Sequence, residues 1–122
     1  MAITTTTATA LSAKTLMGSR VVNPKGDNLG KIEDFVLEPE DGRVSFAILS
    51  FGGFLGMGEK LFAVPLQAMK PSTREDRTFL LDVDKEKLKN APGFEKDRWP
   101  DLSDRTFGTT VYTFYGYRPY WR

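Results

Sequence analysis

The stretch Arg43-Val-Ser-Phe-Ala-Ile-Leu-Ser-Phe51 limits the fold more than any other part of the chain. Read as a strand, it points Val44, Phe46 and Ile48 one way and Ala47, Leu49 and Phe51 the other. A strand that is apolar on both faces needs both faces covered. The interior of a rolled sheet supplies one cover. The other must be a helix, the chain's own tail, or a partner.

The neighbouring segments read as further short strands separated by turn signals. A single helical turn, Ser12–Gly18, precedes them, with Ser12 as its cap and Gly18 as its stop. Arg20–Val22 is the first strand, closed by the turn tetrad Asn23-Pro24-Lys25-Gly26. Gly30–Leu37 is the second. Ile32, Phe35 and Leu37 want one face, yet three residues separate the first two, so a bulge is expected at Glu33-Asp34. Glu38–Gly42 makes a hairpin loop into the doubly apolar strand. Lys60–Pro65, a short piece beginning at Ala68–Lys70, and Thr78–Val83 complete six strands, the last with Phe79, Leu81 and Val83 inward. The expected fold class is mainly β: a small, six-stranded, antiparallel β-barrel. Beyond it, Asp84–Asn90 reads as a short helix, Asn90–Phe94 as a break, and Ser103–Tyr115 as a second helix capped by Ser103.

These readings divide the 122 residues into a disordered Thr/Ala-rich tail (1–10), a barrel (11–83) and a helical, aromatic-rich C-terminal extension (84–122) that packs on the barrel or on a partner. No apolar run reaches the roughly 18–20 residues that span a bilayer, and the first ten residues lack the basic start of a secretory signal. A cytoplasmic protein is expected.

The chain contains neither Cys nor His. That excludes disulfides, thiolate chemistry, Cys/His zinc sites and Ser-His or Cys-His nucleophilic pairs. Carboxylates and lysines remain, but Asp82 and Asp84 lack the third ligand and the glycine of a calcium loop. Glu33-Asp34 is a candidate catalytic pair, although satisfying backbone N–H groups at the bulge is the preferred role for Asp34. No metal, cofactor or catalytic residue is expected. With 17 Lys and Arg against 16 Asp and Glu, the net charge of +1 gives no grip on nucleic acid and little repulsion between copies.

Two segments stand out as contact surfaces. Gly52-Gly-Phe-Leu-Gly-Met-Gly58 lacks the Gly-Lys-Ser/Thr and following helix of a phosphate loop, and instead offers Phe54, Leu55 and Met57 as an apolar tip or as packing for the same chain. The C-terminal end holds all four tyrosines, Tyr112, Tyr115, Tyr117 and Tyr120, together with Trp121. Tyr117, Tyr120 and Trp121 are candidate partner-binding residues, because such side chains dominate binding hot spots. The preferred alternative is that this tail covers the second face of Arg43–Phe51. A dimer exchanging tails satisfies the same physics.

The run Val22-Asn-Pro-Lys-Gly-Asp-Asn-Leu-Gly-Lys-Ile-Glu-Asp-Phe-Val-Leu37 resembles the opening of the PRC-barrel domain. Gly42-Arg-Val44, Ala47–Gly56 and Glu59-Lys-Leu-Phe-Ala-Val-Pro65 extend the resemblance, and Asn90–Phe94, Trp99-Pro-Asp101 and Pro119-Tyr-Trp121 are similar to the extension of a stand-alone bacterial subgroup. The resemblance implies a small barrel of about six antiparallel strands that contacts proteins rather than catalysing. Its relatives include the cytoplasmic part of the photosynthetic reaction-centre H subunit and a ribosome-maturation factor. Neither the membrane helix of the first nor the N-terminal domain of the second is expected here, so neither specific role is expected to transfer. The expected function is a non-enzymatic, self-associating interaction module. The alternatives are an H-subunit-like accessory protein and a barrel carrying a small apolar, quinone-like ligand in a pocket lined by Phe46, Ile48 and Phe62.

Overall fold

The computed structural model describes residues 11–52 and 59–121. Its elements are α1 (Ala13–Leu16), β1 (Arg20–Val22), β2 (Asn28–Glu38), β3 (Arg43–Gly52), β4 (Glu59–Pro65), β5 (Lys70–Pro71), β6 (Thr78–Leu80), α2 (Lys85–Lys89), β7 (Gly93–Glu95) and α3 (Arg105–Phe114). A single 3-10 turn, Leu66–Ala68, joins β4 to β5. The fold is mainly β with short helices, as the sequence implies.

Two features of the expected barrel are corrected. The seven strands form one sheet in the order β5-β6-β1-β2-β3-β4-β7, whose edges β5 and β7 do not pair with each other, so the sheet is not closed. It is also mixed: β1 and β6 run parallel, Arg20 beside Thr78 and Val22 beside Leu80. The physical reason lies at the edges. β5 is two residues long and ends in Pro71, which has no N–H to donate. β7 extends only three residues. Side chains fill the gap instead: Ala68 and Met69 beside β4, Leu88 of α2 and Ala91 join Val21, Leu29, Ile32, Leu49, Phe62 and Val64 in one buried cluster.

β7 was not expected at all. Asn90–Phe94 reads as a helix break, yet Gly93–Glu95 pairs antiparallel with Lys60–Phe62 and buries Phe94 on the second sheet face. Glycine is needed there because a methyl group at position 93 would lie 2.8 Å from the Phe62 ring. Thr78–Val83 is shorter as a strand than expected, but Phe79, Leu81 and Val83 are all buried.

The expected bulge is present. Ile32 pairs with Leu49 and Asp34 with Ile48, leaving Glu33 as the extra residue. Ile32 and Phe35 therefore pack on the same cluster. The Asp34 carboxylate accepts from the Phe35 N–H at 2.7 Å, the backbone role preferred for it. Leu37 departs from the expectation. A second register shift, with Val36 opposite Phe46 and Leu37 opposite Val44, skips Ser45 and leaves Leu37 65% exposed.

The turn after β1 is held by Asn23, whose side-chain oxygen accepts from the N–H groups of Lys25 and Asp27 and whose amide donates to the Val83 carbonyl. Ser12 and Asp84 precede α1 and α2 without a side-chain cap bond. For α3 the cap is Asp104, which accepts from Thr106 N–H at 2.9 Å; Ser103, the expected cap, instead donates its hydroxyl to Asp101 at 2.6 Å.

Gly30 fixes how closely β2 approaches β3. Its φ is +115°, and a methyl group there would overlap the Ser50 carbonyl oxygen. Gly30→Ala is expected to destabilise by about 3 kcal/mol, combining backbone strain with overpacking. Gly26→Ala, with a similar φ of +89° and open space around it, carries the strain alone and is expected to cost about 1 kcal/mol. Urea unfolding of the two variants measures the difference.

Candidate interaction site on the second sheet face

β3 and β4 each send apolar side chains to both faces. Ala47, Leu49, Phe51, Phe62 and Val64 enter the first cluster, while Phe46, Ile48, Leu61 and Ala63 enter a second. The second is covered by the chain's own C-terminal extension. Phe94, Val111 and Tyr112 are buried in it, and Phe107, Tyr117, Tyr120 and Trp121 pack around them half-buried.

α3 is amphipathic, with Gly108, Val111 and Tyr112 on the buried side. Tyr112 anchors it. Its ring meets Phe46 edge-on at 5.7 Å, and its hydroxyl donates to the Ser45 carbonyl at 2.9 Å. Ser45 is the residue skipped at the second bulge, so the phenol supplies a partner to a buried backbone acceptor. Burial pushes the Tyr112 phenol up to about 12, so it stays a donor even in alkaline solution where a free phenol ionises. Burial likewise raises the Tyr115 phenol.

The last residues fold back over α3 as a strap. Gly116 turns the chain with φ +82°, and the Tyr117 N–H donates to the Tyr112 carbonyl at 2.9 Å. The Trp121 ring lies 5.1 Å from Tyr112 and 4.9 Å from Tyr120, both edge-on, and its indole N–H donates to Thr109 Oγ1 at 3.2 Å. Two guanidiniums stack on the strap: Arg43 at 3.9 Å from the Tyr120 ring centre, and Arg105 at 4.6 Å from that of Trp121.

Arg105 also ties α3 to the end of β2, donating to both Glu38 carboxylate oxygens at 3.1 and 3.4 Å. The Glu38 side chain is only 16% exposed. Burial alone would raise its carboxyl; the nearby Tyr120 hydroxyl and the Arg105 guanidinium reverse this and hold it below its ordinary value of 4.5. The buried Tyr120 hydroxyl reaches this pair without completing a well-formed hydrogen bond, so its influence on Glu38 is one of proximity.

Of the six candidate contact residues, Tyr117, Tyr120 and Trp121 come together in this strap. Phe54, Leu55 and Met57 lie outside the described residues. Phe46, Ile48 and Phe62 do not line a common pocket, because Phe62 enters the first cluster and the other two the second. A groove of about 480 Å³ lies elsewhere, between Lys70, Leu81 and Asp82 on one side and Tyr115–Tyr117 on the other. Among the described residues no group of three acidic side chains is placed to hold a metal, and no helix is long and apolar enough to cross a membrane. Gly108 and the Glu38–Arg105 pair escaped the sequence reading. Neither has a local signature: one is a glycine inside a helix, the other a contact across 67 positions.

Tyr112→Phe, which removes the phenol donor from the Ser45 carbonyl, is expected to cost about 1–2 kcal/mol in urea unfolding. A lowered carboxyl stabilises the fold above its unfolded value and loses that contribution as pH falls through the folded one. Glu38 therefore stabilises above pH 4.5 and ceases to as pH drops below it. Glu38→Gln is expected to lower stability at pH 7 and to flatten the acid limb of a Tm-against-pH profile below pH 4.5.

No curated protein matches the chain. Among solved structures it is similar to a 16S ribosomal RNA processing protein, RimM, from Pseudomonas aeruginosa, at 16% identity and a TM-score of 0.41, over 69% of this chain and 50% of that one. The chain thus spans about half the length of that protein. The sequence model of the PRC-barrel domain matches residues 8–88, more than half of the chain, and leaves β7, α3 and the strap beyond the matched span. The resemblance read from Val22–Leu37 and the later strands is confirmed: the chain belongs to the PRC-barrel domain family.

Proposed function

We propose that this chain is a non-catalytic protein-interaction module that associates with itself or with a protein partner through its aromatic strap and the Phe54-Leu55-Met57 tip. The strap carries the reading. Tyr117, Tyr120 and Trp121 are half-buried, so each keeps an outward surface, and Arg43 and Arg105 stack beside two of them. Tyr, Trp and Arg are the residue types that supply most binding energy at interfaces. Membership of a family of small barrel modules and a net charge of +1 are compatible with association.

A second reading, a carrier of a small apolar ligand, draws on the groove beside Tyr115–Tyr117, whose volume falls within the range typical of ligand pockets, roughly 300–1,000 Å³. Native mass spectrometry of the purified protein separates the two. An adduct of ligand mass supports the carrier, and a clean multimer supports the module.

For the interaction reading, light scattering compares wild type with Phe54→Ser/Leu55→Ser and with Trp121→Ala. At least one variant is expected to weaken self-association or partner capture by about tenfold or more, the loss that follows from removing a hot-spot side chain. Unchanged mass and unchanged capture in both, with far-UV spectra intact, would remove these surfaces as the interface.

A further inference from the structure

Gly108 sits inside a ten-residue helix, where glycine costs about 1 kcal/mol relative to alanine. Its φ is helical, so no turn demands it. What demands it is Trp121: a methyl group at position 108 would lie 2.7 Å from Cη2 and 2.8 Å from Cζ2 of the indole. The missing side chain makes a socket. Its floor is the bare helix backbone, one wall is Tyr112, the Thr109 hydroxyl accepts from the indole N–H, and the Arg105 guanidinium stacks on the ring.

The segment that fills the socket is joined to α3 by Gly116, which has a positive φ and nothing within 4 Å of where its side chain would be. That turn carries the strap back over α3. The indole is seated by Arg105, Gly108, Thr109 and Tyr112 of α3 and by Tyr120 of the strap, contacts that read the segment and not its covalent connection.

The geometry points to a recognition site over Gly108 for an extended aromatic C-terminal segment, filled in cis by Tyr117–Trp121 and open in trans to the same segment of a second copy. This rests on the interaction reading and names its partner: another molecule of this chain, exchanging straps. A net charge of +1 leaves little repulsion between copies, and the exchanged contacts are those already seen.

The test uses the full chain and a fluorescein-labelled peptide of residues 116–122. In fluorescence anisotropy, Trp121→Ala empties the socket and is expected to bind the peptide at least about tenfold more tightly than wild type, whose own strap competes. Adding Gly108→Ala fills the socket and is expected to abolish that binding. No binding to Trp121→Ala, or binding that Gly108→Ala leaves intact, would overturn the inference. If Trp121→Ala does not fold, energy transfer between two populations decides. One carries a dye at the C-terminus and the other at Thr110→Cys, a unique site because the chain has no cysteine. Transfer in the mixture, lost on adding Gly108→Ala to both, supports exchange, and its absence at concentrations where the protein is multimeric overturns it. Strap-dependent multimers in light scattering without peptide binding would defeat this inference and leave the interaction reading standing.

Discussion

β3 is buried on both faces, and the rest of the molecule is arranged around that requirement. Phe46, Ala47, Ile48, Leu49 and Phe51 succeed one another along a single strand, all buried, so no one layer covers them. The first cover is the curved sheet itself, plugged by the 3-10 turn and α2. The second is β7, α3 and the strap. Because β4 shares the same double burial through Leu61, Phe62, Ala63 and Val64, the two strands form a slab between two small cores.

The bulge at Ser45 links the two covers. Skipping one residue on β3 turns its carbonyl toward α3, where the Tyr112 phenol meets it. A hydrogen bond of this kind has directional demands that apolar packing lacks, so it sets where α3 lies on the sheet. The Glu38–Arg105 pair fixes the same helix at its start, countering the unfavourable placement of a cation at a helix N-terminus. On the helix so fixed, the strap is held by ring contacts, two stacked guanidiniums, the indole hydrogen bond to Thr109 and the backbone bond from Tyr117 to Tyr112.

Much of the fold was legible because turn chemistry and alternation are local. Asn23–Gly26, the hairpin at Glu38–Gly42 and the bulge at Glu33 follow from residues a few positions apart. The need for a second cover was equally legible, since it follows from Arg43–Phe51 alone. Closure was not. Whether β5 and β7 meet depends on how sharply a sheet curls, and no run of residues states that. The parallel β1–β6 pair was missed for the same reason: its partners lie 58 positions apart, as Arg20 and Thr78 show. β7 was hidden by Pro92 and Gly93, residues that argue for a loop yet suit an edge strand pressed against Phe62. The aromatic side chains of the site were visible in the sequence, whereas the socket beneath them was not, because a helical glycine acquires meaning only from what lies on it.

The fold turns on the C-terminal extension lying over the second face of β3, with Tyr112 against Phe46 and the Trp121 indole over Gly108. Proton NMR measures this directly. Cross-relaxation peaks are predicted between the rings of Phe46 and Tyr112 and between the Trp121 indole and the α-protons of Gly108 in the folded protein at neutral pH. A spectrum with native β-sheet shifts in which both sets are missing would contradict it.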